Sequence, residues 1–215
     1  MEKASDQTFT FNDLTIARFV VNSLRENTYI VFNRRGDGIV IDCGVRRESE
    51  QSRFATFVGD HHITLRAHLL THSHFDHLWG SQWLYDTYRL LPIIPPREVA
   101  NYHCAEASAH KIFHRPVAVP LPPEPLINDG TPHLTFTHLC TPGHTRGSYC
   151  FYSPRAGILF SGDTIFKDYI GIAKEEVPLN RIQQSLKEKI YTLPPQTLVF
   201  PGHGPEFVLQ DQLPR

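Results

Sequence analysis

The amino-acid sequence predicts a layered α/β protein in which two β-sheets face each other and helices cover their outer sides. Short apolar runs typical of strands come first, and helical and strand-like segments then alternate twice along the chain. Several of these runs end in a glycine-containing corner followed by histidine or aspartate. The 215 residues are enough for one large α/β domain, and this layering buries an apolar face of every element.

The first part of the chain predicts the strands of one sheet and the first helix. Residues 14–21, 28–32 and 39–41 are rich in the β-branched and aromatic residues that favour strands. A helix is expected over residues 47–59. The short apolar run 67–70 then predicts a buried strand.

The rest of the chain alternates between helical and extended patterns. Proline stands at the start of the helical segment 96–113, where its missing N–H is tolerated. The proline-rich stretch 116–132 predicts an ordered connection over the surface or a hinge between the two halves. We expect helices over 80–88, 96–113 and the stretch with apolar Ile182, Leu186, Ile190 and Leu193, and strands over 134–139, 157–160 and 197–200.

The most informative stretch is residues 71–77, which read Thr-His-Ser-His-Phe-Asp-His. It places His72, His74, Asp76 and His77 directly after the strand predicted over 67–70. A loop at the end of a strand can aim several side chains at one point. Because a divalent metal needs several nitrogen or oxygen ligands around it, this run predicts a metal site.

Three further potential ligands follow predicted strands downstream. His144, Asp163 and His203 each come directly after a glycine, which allows tight corners without a Cβ penalty. The candidate metal ligands are then five histidines and two aspartates, all at strand ends. Seven ligands exceed what one tetrahedral metal needs, and they suit two metals that share a bridging carboxylate.

Composition excludes several classes of protein. The net charge of −1 gives no basic footprint for nucleic acid, and no apolar run approaches the length that spans a bilayer. The polar residues 1–10 lack the apolar region of a secretory signal. The scattered cysteines 43, 104, 140 and 150 predict reduced thiols. We therefore expect a cytoplasmic protein that acts on a small molecule, without nucleic-acid or membrane partners.

The four motifs, in this order, resemble the metallo-β-lactamase fold superfamily, and most closely its glyoxalase II-like (hydroxyacylglutathione hydrolase-like) branch. They are the H-x-H-x-D-H run, a later G-H-T, a later G-D-T and a final P-G-H-G. The resemblance extends from about Ile30 to Gly204, and residues 26–31 and 40–44 also match in order. It implies an αββα four-layer sandwich of two mixed sheets flanked by helices, formed by residues 1–215 as a single domain, with metals at one edge between the sheets.

The resemblance also implies a ligand set. His72, His74 and His144 would hold the first metal, and Asp163 would bridge to the second. Imidazole-rich sites favour Zn²⁺, and iron or manganese also suits mixed nitrogen and oxygen ligands. The remaining ligands, implied for the second metal, are Asp76, His77 and His203.

Other polar residues near these motifs have structural interpretations. Asp42 precedes a glycine turn and is expected either to hydrogen-bond a metal ligand or simply to form the turn. The remaining histidines have no ligand-like spacing, so we expect them to be structural or solvent-exposed; they are His61, His62, His68, His103, His110, His114, His133 and His138.

The expected reaction is hydrolysis of a small thioester or ester. A metal-bridged hydroxide, available near neutral pH, would attack the carbonyl carbon, and Asp76 would orient or accept its proton. The sequence offers no dedicated general acid, which favours good leaving groups such as thiolates. Ile172 stands where glutathione-using members usually carry Lys or Arg, and Lys174 follows two residues later, so the sequence does not specify glutathione.

Three other functions remain open from the sequence. A lactonase would use the same binuclear centre, whereas an oxidoreductase similar to persulfide dioxygenases would use a single iron. A non-enzymatic metal-binding protein is disfavoured because all seven ligands are present. The missing export signal disfavours a β-lactamase, and the near-neutral charge disfavours an RNA-processing nuclease.

Overall fold

The computed structural model describes residues 7–113, 124–125, 136–173, 177–178 and 180–213. In this part of the chain, two mixed β-sheets are flanked by helices. The predicted fold class is confirmed. The predicted connection 116–132 falls largely outside the described residues.

The first sheet contains seven strands that follow one another in sequence order. Its first four strands pair antiparallel, and the remaining pairs, beginning with β4–β5, are parallel. The strands are β1 (Gln7–Phe11), β2 (Leu14–Val21), β3 (Glu26–Asn33), β4 (Asp37–Ile41), β5 (Thr64–Leu69), β6 (Pro92–Ile94) and β7 (Glu124–Pro125).

The second sheet contains five strands in the order β12-β11-β10-β9-β8. All its neighbours are antiparallel except β10 and β11, which run parallel. Its strands are β8 (Thr137–Cys140), β9 (Tyr149–Ser153), β10 (Ile158–Gly162), β11 (Leu198–Pro201) and β12 (Phe207–Val208).

The helices lie close to the predicted segments. The segment that follows Pro95 begins with one 3-10 turn, Pro96–Glu98, and then becomes a long α-helix. The last helix continues as a π-helical turn, Leu186–Ile190, which the sequence pattern did not distinguish from an α-helix. The helices are α1 (Glu48–Asp60), α2 (Phe75–Leu78), α3 (Ser81–Tyr88), α4 (Val99–Phe113) and α5 (Arg181–Ser185).

The central core lies between the two sheets. Successive residues of one strand point to opposite faces, so each central strand contributes to two cores. In β3, Tyr29 and Val31 join the central core, whereas Ile30 packs with Phe54 of α1. In the second sheet, residues 158, 160 and 200 join the central core, whereas Leu159 and Val199 pack with Leu186 and Ile190. This alternation produces the four layers.

Strand ends gather the polar loops at one edge of the molecule. The parallel strands β4 and β5 end at Ile41 and Leu69, directly before Asp42 and the run 71–77. The parallel strands β10 and β11 end directly before Asp163 and Gly202. Because parallel strands present their carboxyl ends at the same edge, four loops from two sheets meet there.

Two negative findings concern the part of the chain that the structure describes. No helix there is long and apolar enough to cross a membrane. The four cysteines all lie within it and are free thiols, with Cys43 and Cys150 buried.

Phe200 tests the contribution of the central core to stability. It is fully buried, stacks on Phe160 at 5.3 Å between ring centroids and meets the Tyr29 ring edge-on. Phe200→Ala should lower the free energy of unfolding by about 3–5 kcal/mol, because it removes apolar burial and leaves a cavity. Urea denaturation of the metal-free protein measures this, and Val208→Ala, at a side chain 38% exposed, serves as the control. Equal losses in the two variants would contradict the layered core.

Candidate metal centre

The seven candidate ligands come from four loops at one edge of the two sheets. His72 and His74 lie in the loop after β5, and Asp76 and His77 lie in the short helix α2. The other three ligands follow β8, β10 and β11 of the second sheet and are His144, Asp163 and His203. The two facing sheets therefore bring together residues that are distant in sequence.

The first group consists of His72, His74, His144 and Asp163, whose potential ligand atoms all lie within 4.8 Å of one another. Nδ1 of His74 lies 3.0 Å from Nε2 of His72 and 2.9 Å from Nε2 of His144. Oδ2 of Asp163 lies 3.4 Å from Nε2 of His144. Three imidazoles and one carboxylate thus face a common point.

The second group consists of Asp76, His77 and His203, again within 4.8 Å of one another. Nε2 of His203 lies 3.3 Å from Oδ2 of Asp76, and Nε2 of His77 lies 3.8 Å from the same oxygen. The other carboxylate oxygen of Asp163, Oδ1, is 3.4 Å from His77 and 3.7 Å from His203. Asp163 therefore presents one oxygen to each group.

Hydrogen bonds on the outer side of the rings determine which nitrogen faces the first group. Nδ1 of His144 lies 2.9 Å from the carbonyl oxygen of Ile172, which can only accept, so the proton is on Nδ1. The Thr71 hydroxyl donates to Asp42, and it must therefore accept from Nδ1 of His72 at 3.0 Å. In their neutral forms, both rings consequently direct an Nε2 lone pair inward.

The second group follows the same rule. Nδ1 of His77 donates to Oδ2 of Asp42 at 2.9 Å, and Nδ1 of His203 donates to the Leu24 carbonyl at 3.1 Å. Four of the five imidazoles thus have an acceptor on the side away from the site. This arrangement fixes the tautomer of a metal-binding histidine and orients its ring.

The atoms that face the two groups are short of protein partners. Nε2 of His77 and Oδ1 of Asp163 are both buried, and neither has a hydrogen-bond partner among the described residues. Buried polar atoms normally have such a partner. Divalent metals would satisfy both atoms, and imidazole nitrogen with carboxylate oxygen is a suitable ligand set for zinc or iron. The residues present therefore fit a pair of metal ions.

Electrostatics favours cations at this position. Burial and the neighbouring imidazoles hold the pKa of His72 well below its ordinary value, and burial lowers the pKa of His74 to about 3. Burial alone would raise the pKa of Asp163, but the positive charge of His77 outweighs it and lowers that pKa. Burial would likewise lower the pKa of His77, yet Asp163, Asp76 and Asp42 raise it well above its ordinary value. The carboxylates thus attract positive charge to the second group.

Asp42 connects the ligand loops to the first sheet. Its backbone adopts a left-handed conformation with φ 50°, and its side chain is buried. Oδ1 accepts from the Thr71 amide at 2.8 Å, and Oδ2 accepts from the Thr71 hydroxyl and from His77. Of the two interpretations that the sequence left open, the structure shows the hydrogen bond to a candidate ligand.

Glu98, which sequence reasoning missed, joins the two loops that carry the first group. It is fully buried at the end of the 3-10 turn that precedes α4. Oε2 accepts from the Ser73 amide at 2.9 Å; Oε1 accepts from the Thr145 hydroxyl at 2.7 Å and from the Gly147 amide at 2.9 Å. Because these donors lie 25 to 49 residues away along the chain, no local sequence pattern could have revealed the contact.

Glu26 is a second buried carboxylate that sequence reasoning did not single out. Its Oε2 accepts from the Thr28 hydroxyl at 2.8 Å and from the Gly44 amide at 3.1 Å. Oε1 lies 4.0 Å from Nδ1 of His77. Burial raises the pKa of Glu26 well above its ordinary value, against the lowering effect of His77.

The other histidines stay outside these groups wherever the structure describes them. The groups of converging ligand atoms found among the described residues contain none of His61, His62, His68, His103, His110 and His138. His68 is fully buried, and burial lowers its pKa to about 3. His61 is exposed and stacks on Phe57. His114, His133 and Lys174 lie outside the described residues.

The sequence is similar to a known protein family and to known proteins. A family model described as "Metallo-beta-lactamase superfamily" matches residues 22–203. The "Probable metallo-hydrolase YqgX" of Bacillus subtilis is 29% identical over 210 residues, which cover 92% of this chain and 95% of that protein. A "Hydroxyacylglutathione hydrolase" of Bartonella quintana is 35% identical over 140 residues, which cover 65% of this chain and 49% of that protein.

Two solved structures are similar to this chain over most of their length. The BLEG-1 B3 metallo-beta-lactamase superposes with a TM-score of 0.81 at 26% identity, covering 92% of this chain and 95% of the other. TTHA1623, solved in a di-iron-bound form, superposes with a TM-score of 0.79 at 32% identity, covering 91% and 96%. Both likenesses extend over both sheets.

The Glu98 contacts can be tested by Glu98→Gln. The NH2 group of the new side chain would face N–H or O–H groups that now donate to the carboxylate. This loss of hydrogen bonds should destabilise the protein by about 1–3 kcal/mol. It should also lower metal affinity roughly 10- to 100-fold, because both ligand loops lose their common anchor. Thermal unfolding and metal titration measure the two effects. Glu106→Gln, at an exposed position of α4, is the matched control, and wild-type behaviour of both variants would refute the role of Glu98.

Gly202 tests how closely the two groups approach the backbone. A Cβ atom there would lie 2.4 Å from Oδ1 of Asp163 and 2.6 Å from the His77 ring. Gly202→Ala should therefore displace Asp163 and reduce the metal content of the purified protein. Elemental analysis measures the content. Gly59→Ala adds a methyl group where no atom lies within 4 Å and should keep the wild-type content; an unchanged Gly202→Ala would rule out this packing.

Proposed function

The chain belongs to the metallo-beta-lactamase superfamily, and on that premise we propose that it is a binuclear metal-dependent hydrolase of small thioesters or esters. One observation carries the proposal above the others. Two groups of converging ligands lie side by side, and Asp163 presents one carboxylate oxygen to each. Family membership makes the chain a metallo-hydrolase in general; the binuclear site and the substrate class are the proposal.

The proposed ligand assignment follows the two groups. His72, His74 and His144 would hold the first metal, Asp76, His77 and His203 would hold the second, and Asp163 would be shared by both. Zn²⁺ is the metal we propose, because five imidazoles dominate the set. Iron or manganese remains an alternative, since imidazole also suits iron and carboxylates suit harder ions.

When bound, two such ions would polarise a carbonyl group and make hydroxide available near neutral pH. The chain's own residues then serve to orient the reactants. Asp42, Thr71 and the backbone acceptors keep the imidazole lone pairs directed inward. Asp76 belongs to the second group, and its Oδ2 lies 3.3 Å from Nε2 of the partly exposed His203. We assign to Asp76 the orientation of the attacking water and acceptance of its proton.

Thioesters are the favoured substrates for two reasons. A thiolate leaves without prior protonation, so no dedicated general acid is required. The similarity to a hydroxyacylglutathione hydrolase over 140 residues supports the same class. That protein is about twice as long as the matched region, since the match covers 49% of it. Its preference for glutathione is therefore not carried over to this chain.

The alternatives differ from this proposal in measurable ways. A lactonase would use the same centre, and a lactone ring-opening assay separates it from a thioesterase. A persulfide dioxygenase-like oxidoreductase needs one iron only. The complete second group, Asp76 with His77 and His203, argues against a mononuclear site, and metal stoichiometry decides between the two.

The first test is hydrolysis of S-lactoylglutathione by the metal-replete protein, combined with elemental analysis. Asp163→Ala should lower kcat/KM by at least about 100-fold and reduce metal content in parallel, because the loss of a shared ligand exceeds the 10- to 100-fold effect of outer partners. Asp60→Ala removes an exposed carboxylate at the end of α1 and should behave as the wild type.

Three results would change the proposal. Full activity of Asp163→Ala would refute the bridging role. One bound iron per chain with no hydrolysis would favour the oxidoreductase. Two bound metals without turnover of the thioester would support the binuclear site. Lactones and oxygen esters would then be the substrates to test.

A further inference from the structure

Arg97, Arg146 and Arg181 line one cleft of about 660 Å³, and we propose that this cleft binds an oxyanion of the substrate, a carboxylate or a phosphate. The inference rests on the proposed hydrolase function and specifies its substrate class as anionic. The volume falls within the range of about 300–1,000 Å³ that is usual for ligand sites. The remaining walls are formed by Pro142, Val177 and Pro178.

The cleft and the first metal group share one loop. Pro142 and Arg146 line the cleft and each stand two residues from His144, so their Cα atoms lie at most about 7 Å from that of His144. An extended substrate held in the cleft would then reach the metal centre along this loop.

Close packing fixes the arginine-bearing segments to the His144 loop. A Cβ atom on Gly143 would lie 2.4 Å from the Cβ of Ile182, so the backbone next to Arg181 lies directly against this loop. The Ser185 hydroxyl also donates to the Pro142 carbonyl at 2.6 Å. On the other side, a Cβ atom on Gly147 would lie 2.9 Å from the carbonyl carbon of Arg97. The cleft is thus formed by segments that are held together, as a binding site requires.

Two of the three arginines make no ion pair with the carboxylates that the structure describes. Among these residues, Arg97 and Arg181 have no ion-pair partner within 4.0 Å. Nη1 of Arg181 donates to Gln184 at 2.8 Å, which leaves its other N–H groups for a ligand. Glu98 follows Arg97 directly, but it is fully buried, and both of its oxygens accept hydrogen bonds from the ligand loops. The neighbouring carboxylate therefore faces away from the cleft.

Arg97 and Arg181 in one cleft point to an anion for a physical reason. Their like charges raise the energy of the empty cleft, and an anion relieves that repulsion. A guanidinium group also pairs with a carboxylate or a phosphate through two parallel hydrogen bonds, which fixes orientation as well as affinity.

The test compares 4-nitrophenyl esters that differ in charge. The substrates are the mono(4-nitrophenyl) ester of adipic acid, the same ester with its free carboxylate capped as a methyl ester, and 4-nitrophenyl 6-phosphonohexanoate. The metal-replete protein should show kcat/KM values at least about tenfold higher for an anionic ester than for the capped one. The two anionic esters decide between carboxylate and phosphate.

Variants connect the preference to the cleft. Arg181→Gln and Arg97→Gln should each reduce the ratio of anionic to capped kcat/KM, mainly through KM, and Arg181→Glu should reduce it further. Arg181→Lys retains the charge and should retain most of the preference. Arg155→Gln is the matched control, because Arg155 is an exposed arginine paired with Asp13 in the turn between β9 and β10; it should keep the wild-type ratio.

A binding measurement separates this inference from the proposed function. Calorimetric titration of the metal-replete protein with the 4-nitroanilide of adipic acid, which has an amide in place of the ester, should give weaker binding for Arg181→Gln than for the wild type. If no ester is hydrolysed and this difference persists, the hydrolase proposal fails and the anion cleft stands. Equal ratios and equal affinities in wild type and variants would overturn the anion cleft, whatever the catalytic rate.

Discussion

The convergence of imidazole lone pairs on one buried space depends on the hydrogen bond that four of the five rings make on the opposite side. His144 and His203 donate to backbone carbonyls of Ile172 and Leu24, which belong to loops distant in sequence. His77 donates to Asp42. A rotated or re-protonated ring would direct an N–H group inward and repel a cation. The metal centre is therefore a property of the whole assembled edge, and a peptide containing residues 71–77 alone could not reproduce it.

Charge compensation explains why so many carboxylates can be buried around one histidine. Glu26, Asp42, Asp76 and Asp163 all influence the charge of His77 or are influenced by it. In a medium of low dielectric constant, such a set cannot remain fully ionised without cations nearby. Burial favours the neutral form of Glu26, whereas Asp76 and Asp163 remain ionised because of the imidazoles. Metal binding would offset the remaining negative charge, so folding and metal uptake should be thermodynamically coupled.

The sequence predicted the ligand cluster better than the contacts that position it. All seven predicted ligands meet at one edge, since each followed a strand and the strands could be recognised from local apolar patterns. β2 begins and ends at the predicted residues, and the predicted strands 157–160 and 197–200 are shifted by one residue at the start. Glu98 and Glu26 were not predicted, because the contacts that tie them to the ligand loops and to Gly44 join residues 25 and 18 positions apart along the chain. β9 was also missed, for its pattern Tyr-Cys-Phe-Tyr-Ser has no clear alternation.

Exposed apolar side chains lie beside both groups of candidate ligands. Leu24, Tyr169 and Ile172 are 41%, 56% and 74% exposed. The Leu24 carbonyl accepts from His203 and Tyr169 stacks on Phe166, so apolar surface borders the second group. The Ile172 carbonyl accepts from His144, so apolar surface borders the first group as well. The arginine cleft includes Pro142 and Arg146 of the loop that carries His144. The exposed apolar side chains favour a substrate with an apolar part, and the arginines favour one with an anionic end. An amphipathic acyl compound combines both properties, whereas a uniformly polar substrate would leave the apolar side chains in contact with water.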